Sequence, residues 1–431
     1  MSEKYKIGLT RNRLYEPFNT VLFWGEYKGS FDLLQANKAM KMLCAKEPVI
    51  TCGLELSDDS QAFLVSGYIE PELLCDGRSK DEIVATYNCR GIDTEKGLFS
   101  FHYSTDGYLV IAGHTIICDE KSLLRLAKSF VLFYERKDLN VEAMPVNAFG
   151  ELSSLPVDVA SPLTDKLSSE LEGKWGKRPV KYSPSQCEGA KRKYRQENNG
   201  REEIVLELSS ERMEVLNEIC ARESVDLSSV VSFCFYKSLL ENINLPKKAQ
   251  KWVVSSDRRF FLQNAKDCSV GAFDGSVEIS LNKKDDKKDI REQMKSFHLN
   301  CYKGVTSVFR SFYDDVLLMK LSPDFTDSAY MFLFGENKNK VSRRLAENYG
   351  CACEKMCRSF SCNLSQEYWA PLKSFDDIMV TGEVKTQYYT SLDFLGFGDK
   401  GRLVFRYNPR KITPQIARSV VEKAEKIMAE I

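Results

Sequence analysis

Residues 101–130 read FHYSTDGYLVIAGHTIICDEKSLLRLAKSF and include two of the three histidines of the chain. The first part of this stretch, FHYSTDG, has the spacing H-x-x-x-D-G from His102 to Gly107. The second part, HTIICD, runs from His114 to Asp119. Turn-forming residues between two alternating apolar segments predict a hairpin turn at 104–107, with His102 pointing off a strand.

The surroundings of His114 differ from those of His102. A buried strand is predicted to end at Gly113, a short loop follows, and an amphipathic helix begins near Ser122. A loop between a strand and a helix lets a fixed scaffold present polar side chains. A buried Asp119 in this loop would need a partner. The context therefore favours His114 over His102 as the candidate site residue.

The charge balance and the lengths of the apolar runs argue against several classes of protein. The 431 residues include 61 basic and 61 acidic side chains, and this balance argues against a general nucleic-acid or membrane-surface binder. The first residues show no apolar signal segment, and the apolar runs are too short to span a bilayer. We expect a cytoplasmic protein with no membrane or nucleic-acid partner, whose 14 cysteines are thiols.

Strand and helix patterns alternate along the chain and predict an α/β fold with two lobes of mixed sheets and flanking helices. The N-terminal lobe is expected at 1–165 and the C-terminal lobe at 202–431. Prolines, glycines and serines at 166–201 indicate a connector with at most one short helix, near 163–171. Ser30 is an expected helix cap, and Thr413 with Pro414 predicts the start of the last helix.

The segment HTIICDEKSL resembles the signature H-H-x-x-x-D-G, usually followed by x-S, of nonribosomal peptide synthetase condensation domains and chloramphenicol acetyltransferase-like acyltransferases. His114, Asp119 and Ser122 match it in register. FHYSTDG fits letter by letter as well, but it lacks the serine and the following helix. Four further stretches are similar to the family in chain order, at 30–50, 206–240, 253–260 and 388–428.

The resemblance implies two chloramphenicol acetyltransferase-like lobes in a V shape, with a tunnel between them. A thioester on phosphopantetheine or coenzyme A enters from one side, and an amine or alcohol acceptor enters from the other. It implies no tightly bound cofactor and no metal, and an acyl or peptidyl carrier protein as partner. The motif aspartate is structural and pairs with an arginine. Here Arg258 and Arg259 of SSDRRF are the candidates for pairing with Asp119, and the sequence leaves the choice open.

The chain departs from the signature at two positions. Thr115 stands where the family has its catalytic second histidine, and Glu120 replaces the glycine. A threonine hydroxyl does not take up a proton near neutral pH, and losing a general base costs roughly 10²–10⁴ in rate. Two alternatives follow. His114 and Thr115 form the site of a condensation-type acyltransferase, or the chain is a catalytically silent scaffold that binds a carrier protein or partner enzyme.

Three other features of the sequence have both a structural and a functional interpretation. The cysteines of GCACEKMCRSFSC have irregular spacing and no nearby histidine, which argues against a zinc site. His298 is expected to pack on a helix. The connector also carries a basic stripe, which is either a solvated linker or a docking surface for an acidic carrier. The stripe consists of Lys174, Lys177, Arg178, Lys181, Lys191, Arg192, Lys193 and Arg195.

Overall fold

A computed structural model describes the chain at residues 3–29, 31–135, 141–159, 161–198, 200–262, 265, 270–281, 284–382 and 385–431. The described residues form 14 strands and 13 α-helices. Ser30, an expected helix cap, lies outside these ranges. The cap is Asp32, whose side chain accepts hydrogen bonds from the backbone N–H groups of Leu34 and Gln35.

The strands belong to three sheets. In chain order they are β1 Lys4–Ile7, β2 Thr20–Tyr27, β3 Gly53–Leu56, β4 Ala62–Val65, β5 Leu73–Leu74, β6 Phe99–Tyr103, β7 Tyr108–His114, β8 Glu202–Leu208, β9 Trp252–Asp257, β10 Asp274–Ile279, β11 Lys355–Asn363, β12 Phe375–Thr381, β13 Tyr388–Phe397 and β14 Lys400–Tyr407.

The helices cover the sheets and fill the space between them. They are α1 Leu33–Lys46, α2 Lys80–Arg90, α3 Glu120–Glu135, α4 Pro162–Trp175, α5 Pro184–Glu197, α6 Ser210–Glu223, α7 Leu227–Asn242, α8 Ile290–Val305, α9 Val308–Met319, α10 Pro323–Leu333, α11 Lys340–Tyr349, α12 Gln366–Leu372 and α13 Pro414–Glu430. Among the described residues, none of these helices combines the length and the apolar character that crossing a membrane requires.

Each lobe is built around one larger sheet. The N-terminal sheet has the order β12-β2-β7-β6-β5, and the C-terminal sheet has the order β10-β9-β11-β13-β14-β8. β11 pairs in parallel with β9 and β13, whereas β13 and β14 form an antiparallel hairpin, so the second sheet is mixed. The predicted α/β class with mixed sheets is therefore confirmed.

The hairpin of residues 101–114 forms as predicted. β6 pairs antiparallel with β7, and Gly107 adopts a φ of +87° in the turn that joins them. That left-handed conformation suits glycine because it lacks a Cβ atom. β7 also pairs with β2, in a register that sets Thr20 opposite His114. The central strand thus carries His114 to the end of the sheet.

One strand crosses the expected division of the chain. β12 lies within residues 202–431, yet it pairs antiparallel with β2 and forms an edge of the N-terminal sheet. Its pattern Phe-Asp-Asp-Ile-Met-Val-Thr gives no local sign of that partner, because strand pairing depends on contacts far apart in sequence. The boundaries at 165 and 202 stay a prediction. β12 is a strand from the C-terminal part of the chain that belongs to the N-terminal sheet.

The expected connector is more regular than its composition indicates. α4 extends through Trp175, beyond the short helix expected at 163–171, and α5 occupies much of the remainder. Pro162 and Pro184 begin these helices and do not interrupt them, because proline at the first helical position loses no hydrogen bond. Ser183 completes a capping box with Gln186. The prediction of an irregular segment here is wrong.

Candidate active site

The loop of residues 115–119 joins β7 to α3 and is buried throughout. His114, Thr115 and Asp119 are 0%, 1% and 3% exposed. The backbone N–H of Thr115 donates to the carbonyl of Asn19 at 2.9 Å, which ties the loop to the start of β2. α3 begins at Glu120, two residues earlier than predicted. The loop therefore has a fixed conformation inside the protein.

Asp119 is the best-connected side chain of the loop. One carboxylate oxygen accepts from the backbone N–H of Ser122 at 2.7 Å and the other from that of Phe273 at 3.1 Å. Arg259 reaches both oxygens, with Nη1 2.9 Å from Oδ2 and Nη2 3.0 Å from Oδ1. Such two-pronged contacts are the strong form of the arginine–carboxylate pair. Asp119 thus joins the N-terminal loop to the end of β9.

Arg258 takes a different role from its neighbour. Its guanidinium donates to the carbonyl of Ser311 and to the carboxylate of Asp315. The distance from Arg258 Nη2 to Asp315 Oδ2 is 2.7 Å. Asp315 also receives Arg13 at 3.2 Å, and Arg13 in turn pairs with Asp274 at 2.7 Å. Of the two arginines that the sequence left open, Arg259 makes the Asp119 pair, and Arg258 belongs to a separate buried ion network.

His114 has no nitrogen free to act on a substrate. Its Nε2 lies 2.7 Å from the side-chain amide nitrogen of Asn19, and its Nδ1 lies 3.0 Å from the backbone nitrogen of Ile116. Burial, together with the nearby charges of Lys191 and Arg195, lowers the pKa of His114 well below its ordinary value. The ring is therefore neutral and held on both sides by its own lobe.

The hydroxyl of Thr115 is buried and has no hydrogen-bond partner among the described residues. Its carbonyl lies 3.4 Å from Nη1 of Arg13. By contrast, the nearby Thr10 donates its hydroxyl proton to the carbonyl of Ile116 at 2.7 Å. An unpaired buried hydroxyl costs free energy and offers no base at neutral pH.

Glu120, which stands where the family signature has glycine, forms a second ion pair between the lobes. Its carboxylate lies 2.5 Å from Nη2 of Arg358 on β11, and both side chains are 2% exposed. Burial raises the pKa of Glu120 to about 7, although Arg358 acts in the opposite direction. Gly382, just past β12, packs so closely that a Cβ there would overlap both charged groups. Nothing in the local sequence pointed to this pair.

A small cavity lies at the junction of the lobes, close to the loop. Its volume is about 60 Å³, and Arg13, Arg258 and Asp315 are among its lining residues. Neither His114 nor Thr115 lines this cavity. The V shape and the tunnel remain expectations from the resemblance.

His102 does not lie on the surface, although the turn beside it exposes Thr105 and Asp106. The ring is 1% exposed and lines a cavity of about 1120 Å³ in the N-terminal lobe. Its Nε2 lies 2.8 Å from the hydroxyl of Tyr87 and 2.9 Å from that of Ser100. The FHYSTDG motif, which the sequence context disfavoured as the site, therefore carries a buried polar cluster.

The remaining candidates are structural. His298 lies on α8, with Nδ1 2.9 Å from Asp226 and 3.1 Å from the hydroxyl of Ser229. Cys357 and Cys362 lie on β11, not on a helix. Within the described ranges, no group of three or more histidine, cysteine or acidic side chains is placed to hold a metal ion.

Much of the basic stripe is neutralised by neighbouring carboxylates. The pairs are Lys174 with Glu170, Lys181 with Asp324, Lys191 with Glu188 and Lys193 with Glu336. Lys177, Arg178 and Arg192 are exposed. The charge available for docking is therefore smaller than the sequence indicates.

No protein-family model matches the chain, and a search of curated proteins finds no match either. Solved structures do match. The condensation domain of the monacolin K polyketide synthase MokA superimposes with a TM-score of 0.67 at 12% identity, covering 99% of this chain and 97% of that one. Trichothecene 15-O-acetyltransferase from Fusarium sporotrichioides gives 0.65 at 9% identity, covering 99% and 95%.

The epimerization domain from the third module of tyrocidine synthetase B gives a TM-score of 0.60 at 11% identity, covering 99% of this chain and 97% of that one. All three likenesses span nearly the whole chain, and at these identities they establish the fold. The chain has the fold that condensation domains share with chloramphenicol acetyltransferase-like acyltransferases, as the sequence resemblance predicted.

Proposed function

We propose that this chain is a binding member of the condensation fold, in which the HTIICD loop joins the lobes and does not move protons. The observation that carries the proposal is the state of His114. Both ring nitrogens are engaged, by Asn19 and by the backbone of Ile116, and the ring is sealed from solvent. Thr115 cannot replace the missing imidazole, because a hydroxyl does not titrate near neutral pH.

The acidic residues of the loop support the same proposal. Asp119 and Glu120 are each held by a buried arginine of the C-terminal lobe, Arg259 and Arg358. A carboxylate in a buried ion pair is costly to release, because its partner is left charged and unpaired. The loop therefore holds the two lobes in a fixed relative position. A surface that is already fixed before binding suits recognition of a partner.

The partner we propose is an acyl or peptidyl carrier protein. Two of the solved structures with this fold are domains of a polyketide synthase and of a peptide synthetase. Lys177, Arg178 and Arg192 stay exposed on and beside α4 and α5 and offer positive charge to an acidic partner. Binding would then weaken as ionic strength rises.

A second candidate function is condensation-type acyl transfer from a carrier- or coenzyme A-bound thioester to an amine or hydroxyl. The favouring observation is the Asp119–Arg259 pair, since the structural half of the family motif is intact. A thioester is already activated, so holding it against a nucleophile supplies part of the rate without a base. In this case the phosphopantetheine or coenzyme A arm is substrate, not a bound cofactor.

One experiment separates the two candidates. Wild type, Thr115→His, Thr115→Ala and His114→Ala are incubated with acyl-loaded carriers, acyl-coenzyme A and a panel of amines and alcohols. Intact-mass measurement reads the product, and light scattering or interferometry reads carrier binding. The binding proposal expects carrier binding by all four proteins and no amide or ester product. Product from wild type that is lost in Thr115→Ala or His114→Ala would overturn it.

A charge-reversal variant tests the docking face. Lys177→Glu combined with Arg178→Glu should weaken carrier binding at least about tenfold, whereas Lys423→Glu on α13 should leave it unchanged. Equal binding by both variants would place the carrier elsewhere and contradict the proposed face.

A further inference from the structure

The cavity beside His102 is large enough to hold a small molecule. Its volume of about 1120 Å³ is slightly above the roughly 300–1,000 Å³ of ordinary ligand sites. β6, α2 and α5 contribute to its walls. Ile92 and Phe99 supply apolar surface, and Arg90, Arg192 and Arg195 supply positive charge. The cavity is separate from the HTIICD loop, since neither His114 nor Thr115 lines it.

The cavity region has the arrangement of a nucleophile, a base and an orienting carboxylate. These are Ser100, His102 and Asp76. Ser100 precedes His102 by two residues on β6, so both point to the same face of the sheet. The serine hydroxyl lies 2.9 Å from Nε2 of the ring. On the other side of the ring, Nδ1 lies 3.7 Å from Oδ2 of Asp76 and 3.5 Å from Nη2 of Arg78, which is itself paired with Asp76. Ser100 and His102 both line the cavity.

The charges around His102 fit this arrangement. Burial, and to a smaller extent Arg78, lowers the pKa of His102 to about 4, against the opposing effect of Asp76. The ring is neutral at pH 7 and can accept a proton. A hydrogen bond from Arg78 lowers the pKa of Asp76, so this carboxylate is charged. At 3.7 Å the Asp76 carboxylate does not hydrogen-bond to the neutral ring, and such contacts in free enzymes shorten when the substrate complex forms.

We propose that Ser100 and His102, oriented by Asp76, form a second catalytic site that hydrolyses small acyl esters or thioesters bound in this cavity. His102 Nε2 takes the proton of the Ser100 hydroxyl while the serine oxygen bonds to the acyl carbon. The bond from that carbon to the leaving oxygen or sulfur breaks, and His102 returns the proton to the leaving group. Water then adds to the acyl-serine by the same route, which releases the acid and restores the serine.

Tyr87 completes the site. Its hydroxyl lies 2.8 Å from His102 Nε2, the same atom that Ser100 approaches, so it turns away from the ring when the serine donates there. Burial raises the pKa of Tyr87, so the phenol keeps its proton. A phenol beside the reacting serine can donate a hydrogen bond to the carbonyl oxygen as that oxygen becomes negative. Tyr87 would be the donor that stabilises the tetrahedral intermediate.

Arg195 indicates the kind of acyl group. Its Nη2 is buried and has no hydrogen-bond partner among the described residues. The side chain lies over Gly91, where a Cβ would contact the guanidinium. The Nε of Arg195 donates to the carbonyl of Pro17, so Nη2 is the guanidinium atom left to meet a carboxylate or phosphate in the cavity. The substrate class is therefore a small acyl ester or thioester that carries an anionic group.

The test uses a fluorophosphonate probe and two nitrophenyl esters, the acetate and the negatively charged hemisuccinate. Wild type should gain the mass of one probe on Ser100, located by peptide mapping, and should hydrolyse the hemisuccinate with the lower KM. Ser100→Ala and His102→Gln should lose the adduct and lower kcat/KM at least about 10³-fold. The exposed Ser185→Ala is the control and should match wild type.

Three further variants assign the supporting roles. Tyr87→Phe should lower kcat about 10-fold or more. Arg195→Gln should raise KM for the hemisuccinate only. Asp76→Asn should move the acid limb of kcat/KM below its wild-type position near pH 4, because the charge that raises the pKa of His102 is gone. A folded wild type with no adduct on Ser100, or hydrolysis unchanged in Ser100→Ala, would overturn the proposal. Hydrolysis of the two nitrophenyl esters is measured without a carrier protein or an acceptor, so its outcome is separate from the test of the proposed function.

Discussion

Arg259 meets Asp119 with both ends of its guanidinium, at 2.9 and 3.0 Å, in a part of the protein where each side chain is 3% exposed. The contact joins a loop of the first lobe to the end of a strand in the second. Both charges are out of water, and Arg259 also lies 3.2 Å from Asp257. The contribution of this pair to stability can be measured by removing Asp119.

Asp119→Ala should lower the free energy of unfolding by about 3–5 kcal/mol, because Arg259 is then left buried and charged without its main partner. Thermal and denaturant unfolding measure the loss. Asp58→Ala is the matched control, since Asp58 is exposed and its effect should stay within about 0.5 kcal/mol. Equal melting of the two variants would contradict the buried pair.

Thr115→Val should raise the free energy of unfolding by about 1 kcal/mol. Its hydroxyl is buried without a partner among the described residues, and valine keeps the shape while removing that cost. The same change at Thr10 should have the opposite sign, because its hydroxyl donates to Ile116 at 2.7 Å. The two variants are compared by calorimetry, and a stabilising Thr10→Val would show that the contrast is absent.

Gly382→Ala should destabilise the protein by about 1–3 kcal/mol, because the new methyl group would overlap Glu120 and Arg358. Gly173→Ala is the control. It lies on α4 with no atom within 4 Å of the added Cβ, so it should stabilise the helix by about 0.5–1 kcal/mol. Denaturant unfolding of both variants gives the sign, and a neutral Gly382→Ala would mean that the ion pair moves freely.

His102 should make the protein less stable in acid. Its pKa is lowered to about 4 in the folded state from an unfolded value of 6.5, by burial and Arg78 against Asp76. Folding therefore favours the neutral ring. The contribution, up to roughly 3 kcal/mol, is complete above pH 6.5 and is lost as the pH falls through 4.

The measurement is the pH dependence of the free energy of unfolding for wild type and for His102→Gln. Subtracting one curve from the other cancels the contribution of the carboxylates that titrate over the same pH range. NMR titration of the ring locates the pKa directly. A His102 that titrates near 6.5 would contradict the prediction.

Local patterns were enough to predict the elements around the loop. The alternation before Gly113 and the helical period after Ser122 predicted β7 and α3, and the match of Asp119 to the family signature implied an arginine partner. Choosing Arg259 over Arg258 needed the structure. Adjacent residues at the end of a strand point in different directions, and nothing in SSDRRF says which one faces the loop.

The parts that could not be predicted depend on distant contacts or on context. Glu120 finds Arg358 across 238 positions of sequence, and no local signal announces such a pair. The cluster at His102 had one available signal, which is that Ser100 and His102 share a face by strand alternation. Asp76 had none, since it reaches the ring only because β5 lies beside β6.

The exchange of β12 has a consequence for how the chain is made. β2 emerges from the ribosome roughly 350 residues before the strand that covers its edge. At about 5–20 residues per second, that edge waits roughly 20–70 seconds for its partner. During translation the apolar strand TVLFWGEY can therefore pair with a wrong strand. A chain that ends before Thr381 keeps an unpaired sheet edge that favours aggregation. Synthesis of this protein calls for protection of the nascent first lobe until the second is nearly complete.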